Sequence, residues 1–177
     1  MGFIELRAMS AFSFGDGGVA PEALARHAKS LGYHTLGLTD HADLGGAVRF
    51  AVTCREQGIR PIVGAEFVVD GYPLALVAMN AIGFRNVASL VTASRVGNLR
   101  RWTKSSATRG RPRLTWSQVA QRAEGLFLLT GPASGQLASL LLKRRADEVD
   151  QLLIQYRSAF ESRMAIEVGL HRAGRVT

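Results

Sequence analysis

The chain reads as an α/β fold on a largely parallel sheet, and three observations point there. Segments of strand character alternate with segments of helical character about five times along 177 residues. The strands are short apolar runs of the kind that suits burial on both faces. At this length one core buries roughly two-thirds of the unfolded surface, so a single domain over 1–177 is expected rather than two.

Taken in order, residues 3–10 form a first strand with Ile4 and Leu6 on one side, and Gly15, Gly17 and Gly18 make the turn after it. Pro21 and Glu22 open a helix over 21–31, because the missing proline N–H falls where a helix leaves its first donors unpaired. Leu24, Ala28 and Leu31 share one face of that helix, and Gly32 stops it. A strand over 35–39 leads to a helix over 44–57 closed by Gly58, then to strands over 61–69 and 73–79. Residues 84–96 form a helix with Val87, Leu90, Val91 and Ala93 mostly inward. Thr115 and Gln118 make a capping box for a helix ending near Glu124. A strand over 126–130, one long helix or two consecutive ones over 134–160, and a last strand over 164–170 complete the pattern.

Composition narrows the class further. With 47% hydrophobic and 20% charged residues, the chain is neither a disordered tail nor a fibre. Its one cysteine, Cys54, can form no internal disulfide; helical spacing with Ala47, Phe50 and Ala51 makes it a core thiol rather than a nucleophile. The uncharged run over 71–84 is 14 residues long and holds Pro73 and Asn80, too short and too broken to span a bilayer. Glu5 and Arg7 stand where a signal peptide needs its apolar region, so a reducing cytoplasm and no membrane are expected.

The net charge of +8 is concentrated. No Asp or Glu occurs between Gly71 and Ala123, whereas nine Arg or Lys do. Arg95, Arg100, Arg101, Lys104, Arg109, Arg111 and Arg113 crowd a stretch whose middle lacks apolar periodicity, so a basic loop is expected at about 98–114. Such a loop attracts polyanions through counterion release, which makes weak, non-specific DNA binding one reading and a solvated loop without a partner the other. Trp102 and Trp116 flank it; Trp116 packs in the first turn of its helix, and Trp102 is available to stack on a base.

No internal repeat is visible, and the early glycines lack the spacing of a nucleotide fingerprint. In strand-and-helix folds of this kind reactive groups gather at the carboxyl ends of the strands. That rule selects 7–16, Asp40 with His41, and 64–66.

These same places carry a resemblance. Ser10-Ala11-Phe12-Ser13-Phe14-Gly15-Asp16-Gly17, Leu38-Thr39-Asp40-His41, Gly46-Ala47-Val48-Arg49-Phe50 and Gly58-Ile59-Arg60-Pro61-Ile62-Val63-Gly64-Ala65-Glu66 closely resemble the start of the PHP (polymerase and histidinol phosphatase) domain. The version resembled is the one at the N-terminus of bacterial C-family DNA polymerase III alpha subunits. Gly83-Phe84-Arg85-Asn86-Val87, Leu129-Thr130-Gly131 and Ile166-Glu167-Val168 fit as well, and Gly110-Arg111-Pro112-Arg113-Leu114-Thr115-Trp116 is similar to the error-prone branch. The resemblance implies a distorted (βα) barrel, incomplete here at its C-terminal end, with an exposed edge after Leu170.

It also implies a metal-dependent phosphoesterase-like site, from which this sequence departs. The family's first strand carries an H-x-H pair, two residues apart and so on one side of the strand. Here the pair reads Arg7-Ala8-Met9. A guanidinium cannot shed its proton to coordinate a metal, and a thioether is a poor ligand for zinc or manganese. Asp16, His41 and Glu66 match the remaining family ligands, with Asp40 beside them, while the Asp-x-His pair near the family domain's end falls beyond Thr177. His27, His34 and His171 match no motif position and read as surface or packing residues.

A degenerate centre is therefore expected, holding at most zinc or manganese at low occupancy. With its guanidinium at the barrel mouth, Arg7 is expected within ion-pair distance of Glu66 or Asp16. The carboxylates of the family's polymerase centre lie far downstream of the PHP domain, so no polymerase active site is expected here. Three roles stay open: the PHP domain of an error-prone-type polymerase, serving replication or repair synthesis; a free-standing metal-dependent phosphoesterase; or a basic adaptor for nucleic acid or polymerase subunits.

Overall fold

The computed structural model describes residues 3–96 and 112–168. Among them the elements run β1 (Glu5–Ala8), α1 (Pro21–Ser30), β2 (Thr35–His41), α2 (Ala47–Glu56), β3 (Arg60–Val69), β4 (Tyr72–Ala78), α3 (Ala81–Val96), β5 (Arg113–Leu114), α4 (Trp116–Ala120), β6 (Leu126–Leu129), α5 (Gln136–Leu142), α6 (Ala146–Phe160) and β7 (Met164–Ala165). They form one sheet in the order β1-β2-β3-β4-β6-β7, with β5 beside β3 off that path. The α/β class is as expected. No helix among the described residues is long and apolar enough to cross a membrane.

The sheet is mixed rather than largely parallel. β1, β2 and β3 run parallel, but β4 is antiparallel to both β3 and β6. The cause is local: Asp70 and Gly71 take φ 47° and 94°, the two positive values that a two-residue type I′ hairpin requires, and they fold β4 straight back on β3. β5, inside the stretch read as a loop, pairs in parallel with Val68 and Val69.

The helical boundaries also shift. Thr115 caps α4 as expected, its side chain accepting from the Gln118 N–H while Gln118 Oε1 accepts from the Thr115 N–H at 2.8 Å. The helix ends at Ala120, short of Glu124, because the chain tightens into i→i+3 bonds, Arg122 N to Val119 O and Ala123 N to Ala120 O. The 134–160 stretch divides into α5 and α6 at Arg144, which takes φ 55° while the Arg144 and Arg145 N–H groups bond back to Leu141 O and Leu140 O. This is a Schellman turn with arginine in the position that glycine favours.

Three apolar clusters surround the sheet. α1 and α2 pack over one part of it through Ala25, Ala28, Leu36, Leu38, Phe50 and Cys54. α3 to α6 cover the rest through residues such as Phe67, Leu76, Val87, Leu90, Leu128 and Phe160. The opposite, inner face carries a smaller cluster, Ala75, Val77 and Leu129, with Leu6, Ile62, Phe127 and Ala165 against it. Since Leu6 belongs to β1 and Ala165 to β7, the two ends of the strand order share this inner cluster, and the sheet curls toward a barrel without pairing them among the described residues.

Candidate functional site

Strand periodicity puts the site on the inner face. Ile62 packs in the inner cluster, so Gly64 and Glu66, two and four residues on, face the same side of β3. Leu36 and Leu38 pack under the helices, leaving Gly37, Thr39 and His41 on the inner face of β2. The parallel register then sets His41 opposite Glu66. Gly37 lets β1 come close: a Cβ there would meet the Leu6 carbonyl oxygen at 2.5 Å. The β1–β2 register slips between Glu5 and Ala8, and within that irregularity Arg7 reaches inward.

The side chains form one continuous line. His41 Nε2 lies 2.8 Å from Asp16 Oδ2, and His41 Nδ1 lies 2.8 Å from Glu66 Oε1. With a carboxylate at each ring nitrogen, the imidazolium form offers a donor to both. The other oxygen of Glu66 pairs with Arg7 Nη2, and Arg7 Nη1 donates to both carboxylate oxygens of Glu167, at 2.6 and 2.7 Å. Arg7 and Glu66 are nearly enclosed, at 12% and 9% side-chain exposure, whereas Asp16 is half exposed. Three carboxylates thus share one guanidinium and one imidazole. The arginine–glutamate contact expected from the sequence is present.

Asp40 serves the same place from the other face of β2. Buried, it accepts from Ser10 N at 2.7 Å, Ser10 Oγ at 2.7 Å and Ser13 Oγ at 2.6 Å, and Ser13 Oγ in turn accepts from the His41 N–H at 3.1 Å. The Asp16 and Gly17 N–H groups both bond to Ser13 O. Asp40 therefore fixes the loop that delivers Asp16 to His41. Beyond His41, the Ala42 N–H donates to Glu66 O at 2.8 Å, and Arg95 donates from α3 to Ala42 O and to Asp43.

The residues singled out by sequence divide accordingly. Asp16, His41 and Glu66 come together, with Arg7 beside them; Met9 follows β1 and is half-buried. Of the basic series, Arg95 is already engaged at the strand end, Arg113 lies exposed on β5, and Arg100, Arg101, Lys104, Arg109 and Arg111 lie outside the described residues, as does Trp102. Trp116 stacks on Tyr156 and Phe160, with ring centroids 5.0 and 6.1 Å away. Cys54 is a core thiol, and burial pushes it up to about 11. Glu167 was not foreseen as a site residue; the signal available was an acid between Ile166 and Val168 near the end of the last strand.

The chain is 34% identical over 176 residues to an error-prone DNA polymerase of Symbiobacterium thermophilum, covering 95% of this chain and 16% of that protein. It is 33% identical over 175 residues to a DNA polymerase III subunit alpha of Treponema pallidum, covering 90% of this chain and 14% of that one. The chain thus spans about a sixth of the length of the curated relatives it matches. Among solved structures, an amidohydrolase from Chromobacterium violaceum matches with a TM-score of 0.47 and 25% identity, over 55% of this chain and 35% of that one. The family model described as the PHP domain matches residues 5–171, from the strand of Arg7 to past Glu167, and the chain belongs to that family.

Proposed function

We propose that the chain acts as the PHP domain of an error-prone-type polymerase alpha subunit in which a fixed arginine has taken over the place of the metal centre. The observation that carries the reading is the placement of Arg7, whose guanidinium is shared between Glu66 and Glu167. The donor set does not fit a multinuclear zinc or manganese centre. A permanently charged guanidinium lies against Glu66, the glutamate that matches a family ligand, and one of the family's two first-strand histidines is represented by that arginine. On this reading the domain is a scaffold. It performs no phosphoester hydrolysis, and polymerisation belongs to parts of the relatives that this chain does not match. The basic series from Arg100 to Arg113 and neighbouring polymerase subunits supply its contacts.

Elemental analysis after dialysis against a chelator and then a metal-free buffer tests the reading. Less than one zinc or manganese per chain, together with no metal-stimulated hydrolysis of a phosphodiester substrate, is the expected result. Two or three retained ions, or metal-stimulated turnover abolished by His41→Ala, would establish instead the phosphoesterase built on Asp16, His41 and Glu66.

A further inference from the structure

We propose that Arg7 and Glu167 form an ionic latch across the open side of the sheet, and that its release frees the β7 edge as a local unit while the rest of the fold stays intact. β1 and β7 stand at opposite ends of the strand order, and among the described residues β1 pairs only with β2 and β7 only with β6. Among the described residues nothing in the backbone ladder joins the two edges. One guanidinium does: it reaches Glu66 on β3 with Nη2 and takes both oxygens of Glu167, just past β7, with Nη1.

The β7 edge is anchored at its start, where Met164 packs against the large core cluster and Arg163 donates to Ala123 O and Leu126 O, and it has less to hold it toward Glu167. Its ladder with β6 registers at two positions, Leu128 with Met164 and Leu129 with Ala165. Besides the ladder itself, Leu128 N bonds to Arg163 O at 2.9 Å and Thr130 N to Ala165 O at 3.2 Å, and the Glu167 N–H adds a bond to Thr130 Oγ1 at 3.1 Å. Apolar support is thin. Ile166 and Val168, on either side of Glu167, are 56% and 74% exposed, so of these three side chains only the acid turns inward. The inner cluster beneath holds three buried residues, two of them Ala75 and Val77. A strand end with so few apolar contacts is the kind of segment that opens locally. The charge pair therefore decides whether it stays shut.

The latch stands apart from the question of metal content and is tested without it. Amide hydrogen exchange is followed in the whole chain and in Glu167→Gln and Arg7→Met, with the Leu128 and Thr130 amides reporting the β6–β7 edge and the Arg60 amide, bonded to His34 O at 2.9 Å, reporting the far side of the sheet. Exchange at Leu128 and Thr130 is expected to rise at least about tenfold in both variants, equivalent to about 1.4 kcal/mol of local opening, with Arg60 unchanged in Glu167→Gln, which leaves the Arg7–Glu66 pair in place. In the unsubstituted chain, raising sodium chloride should accelerate Thr130 exchange, and in Glu167→Gln that salt response should vanish. Unchanged exchange at Leu128 and Thr130 in Glu167→Gln overturns the latch. Equal acceleration at Arg60 in Glu167→Gln also overturns it, because the Arg7–Glu167 pair would then be holding the whole fold. Glu167→Gln keeps the side-chain shape at a partly exposed site, so the test survives a failure of Arg7→Met to fold.

Discussion

Replacing Arg7 by alanine removes the one positive group that Glu66 and Glu167 share, and the structure sets the size of the loss. Glu66 is 9% exposed and Glu167 26% exposed, so the two halves of the contact weigh differently. Breaking an enclosed pair from one side costs roughly 3–5 kcal/mol, because the surviving charge stays desolvated and unpaired. His41 still faces the other oxygen of Glu66, which places the loss at the lower end of that range, and the more exposed Glu167 adds less than about 1 kcal/mol. Arg49 is the control. It is 56% exposed, lies 3.0 Å from Glu22 and sits over the Phe12 ring at 5.5 Å, contacts that together are worth about 1 kcal/mol in water. For a chain of this size each kcal/mol moves the melting temperature by roughly 2–4 °C, so Arg7→Ala should fall by about 6–16 °C and Arg49→Ala by about 2–4 °C. Thermal and urea melts at one salt concentration read both. Adding Glu66→Gln to Arg7→Ala should restore part of the loss, since no buried charge is then left unpaired. Equal melting temperatures for the two single variants would refute the reasoning and make the site a wet surface.

Two other outcomes are expected. Burial pushes the Cys54 thiol up to about 11, and burial together with the charge of Asp70 pushes the Tyr156 hydroxyl up to about 12, so the folded chain binds these protons more tightly than the unfolded one. Their stabilising contribution is complete below the unfolded values and disappears as pH rises through about 11 and 12; the urea midpoint should therefore drop above roughly pH 9, less steeply in Cys54→Ala and Tyr156→Phe, and a flat midpoint up to pH 12 would contradict this. Binding to duplex DNA should be weak and indifferent to sequence, with log affinity falling by about 0.9 per log unit of salt for each phosphate contact, and Arg100→Ala, Arg101→Ala and Lys104→Ala together should flatten that slope; an unchanged slope makes the basic series a bystander.

What the sequence disclosed and what it hid follow from the range of the interactions involved. The strand-end rule marked the stretches that hold Asp16, His41 and Glu66, and the PHP resemblance picked out those three; the parallel register sets His41 level with Glu66, while Asp16 comes from a loop beyond β1. The hairpin at Asp70-Gly71 was legible in principle, as that dipeptide between apolar runs is the strongest short-range turn signal, but the alternation of strands and helices on either side favoured a parallel reading. One helix or two over 134–160 was open from the sequence, and the place of the break was hidden, since Arg144 takes a left-handed conformation without the glycine that would announce it. Glu167 and Arg95 were hidden for a different reason. Their partners lie 160 and 53 residues away, Arg7 for one and Ala42 for the other, and no local pattern records which distant edges a curled sheet brings together.

The chemistry of position 7 explains why an arginine suits this mouth when a neutral residue or a lysine would not. Asp16, Glu66 and Glu167 converge on a partly enclosed space, and like charges held out of water repel at a cost that grows as the local dielectric falls. A neutral side chain would leave that repulsion standing. A lysine would bring one compact charge, enough for a single carboxylate. The guanidinium presents separate donors in a plane, and here one nitrogen serves Glu66 while another spans both oxygens of Glu167. A cation tethered to β1 also needs no supply from solution and is present as soon as the chain folds. It cannot, however, polarise a phosphoryl oxygen or generate a hydroxide as a bound metal can. On the proposed reading, the exchange of first-strand ligands for Arg7 and Met9 keeps the PHP architecture closed and charge-balanced, and separates its role as scaffold from the hydrolytic chemistry for which such a mouth is otherwise suited.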